Sequence, residues 1–480
     1  MKTPIYDFVR GYSERNTLRL HMPGHKGKGP LGLEALDLTE IDGADSLYEA
    51  SGVIRESEEN ASALFGCPTF YSTEGSSLCI RAMLYLACMH AREMGVPYHA
   101  DQNAGGAHAT NAPRCADQNA GALSLQDKGG RPLVWAGRNA HKTFLSAAAL
   151  LGFDVEWLYP ASGESYLSCR IDPVSLEKAF AEAAEKPCAV YLTDPDYLGS
   201  LCDITKIAKV CHEHGAQLLV DNAHGAYLRF LPQSRHPMDC GADICCDSAH
   251  KTLPVLTGGA YLHVSASYPH LVSAAKDALA LFGSTSPSYL ILQSLDAAND
   301  YLEGHRARLE GFLPEVERCK KRLRTHGYKL IEQEKLKITI FARDYGYTGQ
   351  ELSEILLNQD IVCEFADPNY IVFMITPETG RAGLERLCAA LEAIPARPAL
   401  HLAQPHFKRP EKVLSPREAA LSPAETLPAE ECLGRVLALA TVGCPPAVPI
   451  VVSGERIDKN VLKCFEYYGI KTCRVIRENR

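Results

Sequence analysis

No stretch of this chain is long, apolar and uncharged enough to cross a membrane, and its N-terminus, MKTPIYDFVRGYSERN, has no apolar signal core. A soluble, cytoplasmic protein is therefore expected. An excess of basic residues is missing too. Forty-nine Lys and Arg against 58 Asp and Glu give a net charge of -9, which excludes a general nucleic-acid binder with a basic surface. Paired CxxC motifs are absent, so no structural zinc site and no other metal site is expected. The eighteen cysteines that are present are scattered through presumptive strands and helices of a 480-residue chain. A secreted disulfide scaffold would be much shorter, so reduced, mostly buried thiols are expected. The remaining composition, 46% hydrophobic and 22% charged, is that of a globular protein, and the length calls for more than one domain.

Four segments divide the chain. Residues 1–60 contain a Gly/Pro-rich loop, HMPGHKGKGP. Residues 61–300 alternate short apolar runs with helical patterns, as in a parallel sheet wrapped by helices. The candidate strands are Thr69–Ser72, Leu133–Ala136, Ala189–Thr193, Gln217–Val220, Asp243–Cys246 and Ala260–Val264. Asp203 as N-cap, an apolar face of Ile204, Ile207, Ala208 and Cys211, and Gly215 as a stop predict a helix leading into one of them. Residues 98–130 break the pattern: ADQNAG occurs twice in an Ala/Gly/Asn-rich setting that reads as an inserted surface loop. Residues 301–395 look like a smaller α+β domain. After a Pro-rich linker, Ala396 to Pro410, a C-terminal module spans 411–480.

Chemistry-bearing residues fall just beyond the predicted strands. In DSAHKTLP, Lys251 follows an apolar strand beside Ser248, His250 and Thr252. A lysine that can be held neutral there is able to form an imine with an aldehyde cofactor such as pyridoxal phosphate. In LLVDNAHGAY, Asp221 ends a strand, where open α/β sheets present ligands, and a carboxylate in that position should face a cation. A metal is the weaker choice because only His224 is near in sequence. In FYSTEGSSLCIRAML, Gly75, Ser76 and Ser77 open a helix, which makes an anion site. In LVWAGRNAHKTF, His141 is placed to lie flat on a ring.

Taken in order, phosphate turn, histidine, strand-end aspartate and lysine, the chain resembles the prokaryotic Orn/Lys/Arg decarboxylases. The matching runs are LRLHMPGHKG, RNAHKT, LLVDNAHGA, GADICCDSAHKTLPVLT, STSPSYLILQSLDAA, SPREA and PPAVPIVVSGERI. The resemblance implies an aspartate-aminotransferase-like (type I) α/β large domain with a mostly parallel sheet, plus the smaller α+β domain and the C-terminal module. It implies a pyridoxal-phosphate enzyme in which Lys251 forms the imine, Asp221 pairs with the ring nitrogen, His141 stacks on the ring and Ala223 packs on the opposite face. Ser76, Ser77 and Ser248 would hold the phosphate beside Gly75. His250 would sit next to the lysine near the reacting carbon. Ser284 and Thr285 would reach the phosphate of a neighbouring subunit, so the unit would be at least a homodimer. Glu364 would take the distal cation of a basic amino acid. The chain also looks like the short form without the N-terminal wing domain. Three positions depart from the family pattern: Glu74 for asparagine, Asn222 for glutamate and Gly258 for glutamine, and TDPDYLG replaces a TSPTYYG-like run. Within the same fold, an aminotransferase or a β-eliminating lyase shares the ring chemistry. A non-catalytic cofactor-binding homologue is the reading from another class.

Overall fold

A computed structural model describes residues 1–95, 99–100, 130–160, 165–440 and 446–478. From Asp101 onward the ADQNAG repeat lies outside the described residues. Helices α1 (Pro4–Glu14) and α2 (Val53–Phe65) lead to strand β1 (Thr69–Ser72) and helix α3 (Gly75–Glu93). Two-residue strands β2 (His99–Ala100) and β3 (Gly130–Arg131) pair antiparallel at the root of the predicted insert. Then follow β4 (Leu133–Gly137), α4 (Lys142–Leu151), β5 (Asp154–Leu158), α5 (Pro173–Glu182), β6 (Ala189–Thr193), α6 (Ile204–Glu213), β7 (Gln217–Asp221), β8 (Ile244–Asp247), the short α7 (Ala249–Thr252) and β9 (Ala260–Val264).

Seven of these strands form one sheet in the order β1-β9-β8-β7-β6-β4-β5. Strands β4 to β8 run parallel, whereas β9 is antiparallel to both β8 and β1. All residues of β4, β7, β8 and β9 are buried, as strands covered by helices on both faces must be. The helix predicted from its apolar face is α6: the Asp203 carboxylate accepts the Lys206 amide, and Gly215 adopts φ +74° after the last turn. Strand β5 escaped the sequence reading because it is an edge strand in which only Val155 is fully buried.

Helices α8 (Pro269–Ala280), α9 (Tyr289–Glu303) and α10 (His305–His326) lead to a four-stranded antiparallel sheet of β10 (Lys329–Leu330), β11 (Lys337–Phe341), β12 (Phe365–Ala366) and β13 (Tyr370–Met374). It packs with α11 (Gly349–Leu357) and α12 (Gly380–Glu392). Beyond Pro410, α13 (Pro416–Leu421), α14 (Lys459–Tyr468) and a three-stranded sheet of β14 (Ala424–Pro428), β15 (Leu437–Leu439) and β16 (Thr472–Ile476) form a unit with its own apolar core. The expectation of uniformly reduced thiols is corrected at one pair: a disulfide joins Cys319 of α10 to Cys388 of α12, two helices packed face to face.

That C-terminal unit is clamped to the large sheet by a buried ion pair. Arg138, just past β4, donates to Glu455 at 3.0 Å and to the carbonyls of Pro449 (3.1 Å) and Ile450 (2.9 Å). Its guanidinium carbon lies 5.2 Å from the Trp157 ring and 5.1 Å from that of Phe407. A planar cation packed between rings and bonded to a carboxylate is a task for arginine rather than lysine. The GERI and RNAHKT runs are thus two halves of one joint.

Candidate active site

The carboxyl ends of the parallel strands open into a cavity of about 430 Å³ lined by Gly75, Ser76, Ser77, His141, Asp221, Ala223, Ser248, His250 and Lys251. This is the edge at which open α/β sheets place ligands. Four segments scattered over the sequence meet there.

Gly75 adopts φ +70°, a left-handed conformation that glycine tolerates, and begins the 19-residue helix α3. Its amide donates to the Gly258 carbonyl at 2.7 Å, and the Ser248 and Ser76 hydroxyls are 2.7 Å apart. A helix N-terminus with clustered hydroxyls suits a phosphate. Asp221, the last residue of β7, is 2% exposed; its carboxylate accepts the Tyr191 hydroxyl at 3.0 Å and the Ala223 amide at 3.2 Å. Burial pushes its pKa up, and the neighbouring Lys251 amine pulls it back.

His141 is the N-cap of α4: its Nδ1 accepts the Thr143 amide at 3.1 Å and lies 2.8 Å from the Thr143 hydroxyl. That fixes the ring plane. Burial, reinforced by Lys251 and Lys142, lowers its pKa to about 4, so the ring is neutral at physiological pH. Thr143 also lies 3.2 Å from the Ser77 hydroxyl, linking the histidine to the phosphate turn. His250, next to the lysine, has Nδ1 2.9 Å from the Gly259 carbonyl, and burial lowers its pKa as well.

A second, smaller cavity of about 120 Å³ shares His141, Asp221, Ala223 and Lys251 with the first and is also lined by His224, Tyr197 and Glu364. Glu364 accepts the Tyr197 hydroxyl at 2.8 Å. The lysine and the acidic residue, far apart in sequence, therefore share one wall-to-wall space. Ser284 and Thr285 are not in the cavity lining; both are exposed, and the Ser284 amide donates to Glu74 at 2.6 Å.

The departures from the family pattern have structural reasons. Gly258 adopts φ +102°, and a Cβ there would come within 2.9 Å of the Thr73 carbonyl. Asn222 donates to Asp247 at 2.6 Å, a carboxylate that already faces His236 (3.0 Å) and His263 (3.1 Å); a glutamate would set two buried carboxylates together. In TDPDYLG, Asp194 accepts the Cys202 amide and Asp196 those of Leu198 and Ser200, so both anchor the turn.

Several lining residues carried no separate sequence signal. Arg81 is nearly two turns along α3, Thr143 follows the capping histidine, and Ser453 comes from the C-terminal unit. The sequence marks His224 only as a neighbour of Asp221. In the structure its Nε2 is 3.0 Å from Lys251 Nζ.

A buried strand-end carboxylate, a neutral imidazole, an amine and a hydroxyl-rich helix start around one cavity fit pyridoxal phosphate. Fold and site together fit a pyridoxal-phosphate-dependent enzyme of the type I fold. Residues 127–341 match the model of the Orn/Lys/Arg decarboxylase major domain. Over that span the chain is similar to the Orn/Lys/Arg decarboxylase family. It is 27% identical over 526 residues to the arginine decarboxylase of Bacillus anthracis, covering 99% of this chain and 98% of the relative. It is 28% identical over 500 residues to that of Bacillus cereus, covering 97% and 99%. The fold is shared with the lysine decarboxylase LdcF of Francisella novicida at a TM-score of 0.75 and 17% identity, over 99% of this chain and 81% of the other.

Proposed function

We propose that the protein decarboxylates a basic amino acid to the corresponding amine, with arginine placed ahead of lysine and ornithine because the relatives above are arginine decarboxylases. The same reading places it in polyamine metabolism in the cytoplasm. The observation that carries it is that Lys251 lines both cavities and that Glu364 lines the second of them. A substrate held with its α-amino group at Lys251 would extend its distal cation toward Glu364.

When bound, the cofactor supplies a cationic ring that accepts the electron pair left as carbon dioxide departs. The chain's own groups do the rest. Lys251 would hold the cofactor through its amine, and Asp221 would favour the protonated form of the ring nitrogen. His141, kept neutral, and Ala223 would pack on the ring. Gly75, Ser76, Ser77 and Ser248 take the phosphate. Lys251 or His250 delivers the proton to the α-carbon. Burial of the site excludes water and orients the breaking bond. Ser284 and Thr285, exposed in one chain, suit a phosphate contact across a homodimer. The domain limits read from the sequence, 61–300, 301–395 and 411–480, are kept as the working division.

The test is incubation of purified protein and pyridoxal phosphate with arginine, lysine and ornithine, scoring amine and carbon dioxide. Lys251→Ala is expected to abolish both turnover and the imine absorbance. A keto acid with ammonia would instead indicate a transaminase or lyase, and a variant that turns over as fast as wild type would refute the assignment. Glu364→Gln is expected to raise KM for the basic substrate by tenfold or more, because a buried charge-assisted contact is worth at least about 1.5 kcal/mol. An unchanged KM would remove Glu364 from the substrate site.

A further inference from the structure

Away from both cavities, two histidines and a glutamate converge where α3 ends and α8 begins. His90 Nδ1 lies 3.0 Å from His270 Nε2, and Glu93 Oε2 lies 3.6 Å from that same nitrogen. All three ligand atoms are within 4.8 Å of one another. His90 and Glu93 stand three residues apart on α3, so both project from one face of the helix. His270 is the second residue of α8, and the ring of Tyr268 meets that of His90 edge-on at 5.3 Å. The two helices pack together over one buried apolar core, so packing fixes the backbone beneath all three residues. The side chains of His270 and Glu93 are 39% and 52% exposed, which lets an ion reach them from solvent.

Hydrogen bonding does not use this arrangement fully. A proton on His270 Nε2 serves His90 Nδ1, and Glu93, at 3.6 Å, is left outside hydrogen-bond range. A divalent cation takes all three lone pairs at once. Zinc binds imidazole nitrogen at about 2.0–2.1 Å and carboxylate oxygen at about 2.0–2.2 Å, so neighbouring ligand atoms of a tetrahedral shell stand about 3.3–3.5 Å apart. The separations found here, 3.0 and 3.6 Å, bracket that edge. Two imidazoles and one carboxylate leave the fourth position to water. The other compact group of this kind among the described residues is His236, Cys245 and Asp247, and it is closed. Asp247 is wholly buried and already accepts from His236 (3.0 Å), His263 (3.1 Å) and Asn222 (2.6 Å).

We propose that His90, Glu93 and His270 form a zinc site, completed by water, that staples the end of α3 to the start of α8. Its role is structural. About four turns of α3, roughly 22 Å, separate His90 from Gly75, so the ion does not touch the cavity. It fixes the far end of the helix whose first turn lines that cavity. The missing CxxC pairs led to the expectation of no metal; these ligands follow no such spacing, and the two histidines lie 180 residues apart.

The test is titration of the full-length protein, freed of metal by a chelator, with zinc against a chromophoric competitor. Wild type is expected to hold zinc with a Kd of about 10 µM or tighter, weaker than a structural site of four protein ligands because one ligand is water. His90→Ala, Glu93→Gln and His270→Ala should each weaken zinc at least about tenfold, since even a residue that merely orients a ligand is worth that much. Zinc should raise Tm in wild type and leave it unmoved in the three variants. All three positions lie at the surface end of packed helices, and circular dichroism like that of wild type separates loss of the site from loss of the fold. A wild-type Kd weaker than about 100 µM overturns the proposal. So do folded variants that bind zinc as wild type does, which would assign the metal to free cysteines instead.

Discussion

Removing the carboxylate of Glu455 should loosen the C-terminal unit more than any surface change could. Arg138 and Glu455 are each 3% exposed, so their pairing is made away from water. Glu455→Ala leaves the guanidinium buried with only the Pro449 and Ile450 carbonyls, and strips the Val452 amide of its acceptor at 2.8 Å. Breaking one side of a buried pair costs about 3–5 kcal/mol, most of it from the abandoned charge. Arg138→Met should cost a similar amount by abandoning the carboxylate. The double variant Arg138→Met/Glu455→Leu abandons no charge, only the Val452 amide and the two carbonyls, and should be more stable than either single by about 2 kcal/mol or more. Urea denaturation followed by tryptophan fluorescence suits the measurement, since Trp157 lies against the guanidinium. Costs that simply add within about 0.5 kcal/mol, or a Glu455→Ala penalty below about 1 kcal/mol, would show that the pair is not the clamp.

Two further outcomes are expected. Between pH 6.5 and about 4 the unfolded chain binds a proton at His141 that the folded chain refuses, so stability falls as pH falls through that window and is regained above it, by up to about 3 kcal/mol. His141→Phe should flatten that slope in urea titrations run at several pH values; an unaltered slope would contradict it. Gly258→Ala forces a side chain into φ +102° and against the Thr73 carbonyl, costing at least about 1–2 kcal/mol. Because the Gly258 carbonyl holds the Gly75 amide, pyridoxal phosphate should also bind more weakly, as thermal melts and cofactor titration would show.

Much of this architecture is legible in the sequence, for reasons particular segments make plain. AVYLT, QLLVD and AYLHV are short apolar runs because inner strands of a sheet covered on both faces are buried, and their limits match those of β6, β7 and β9 to within a residue. The cavity residues are legible because the topology puts each at the end of a strand, where a polar residue interrupts an apolar run. Direction is not written that way: nothing in AYLHV says that β9 runs opposite to β8. Nor is Lys337 legible. A lysine opening the strand KITIF reads as solvated, and only the packing of the small sheet against the Asp196 turn buries it beside His224. Cys319 and Cys388 lie on helices separated by the whole small sheet, and their spacing announces no partnership.

The reversal of β9 has a mechanical consequence. Since it runs back alongside β8, Tyr261 pairs with Asp247 while Ala260 pairs with Ser72, and the chain leaving Lys251 returns to the edge from which it set out. One peptide unit, the Gly258 carbonyl on the Gly75 amide, then ties the segment that carries the amine to the turn that opens α3. In the proposed reading, main chain thereby sets the distance between the lysine and the phosphate turn.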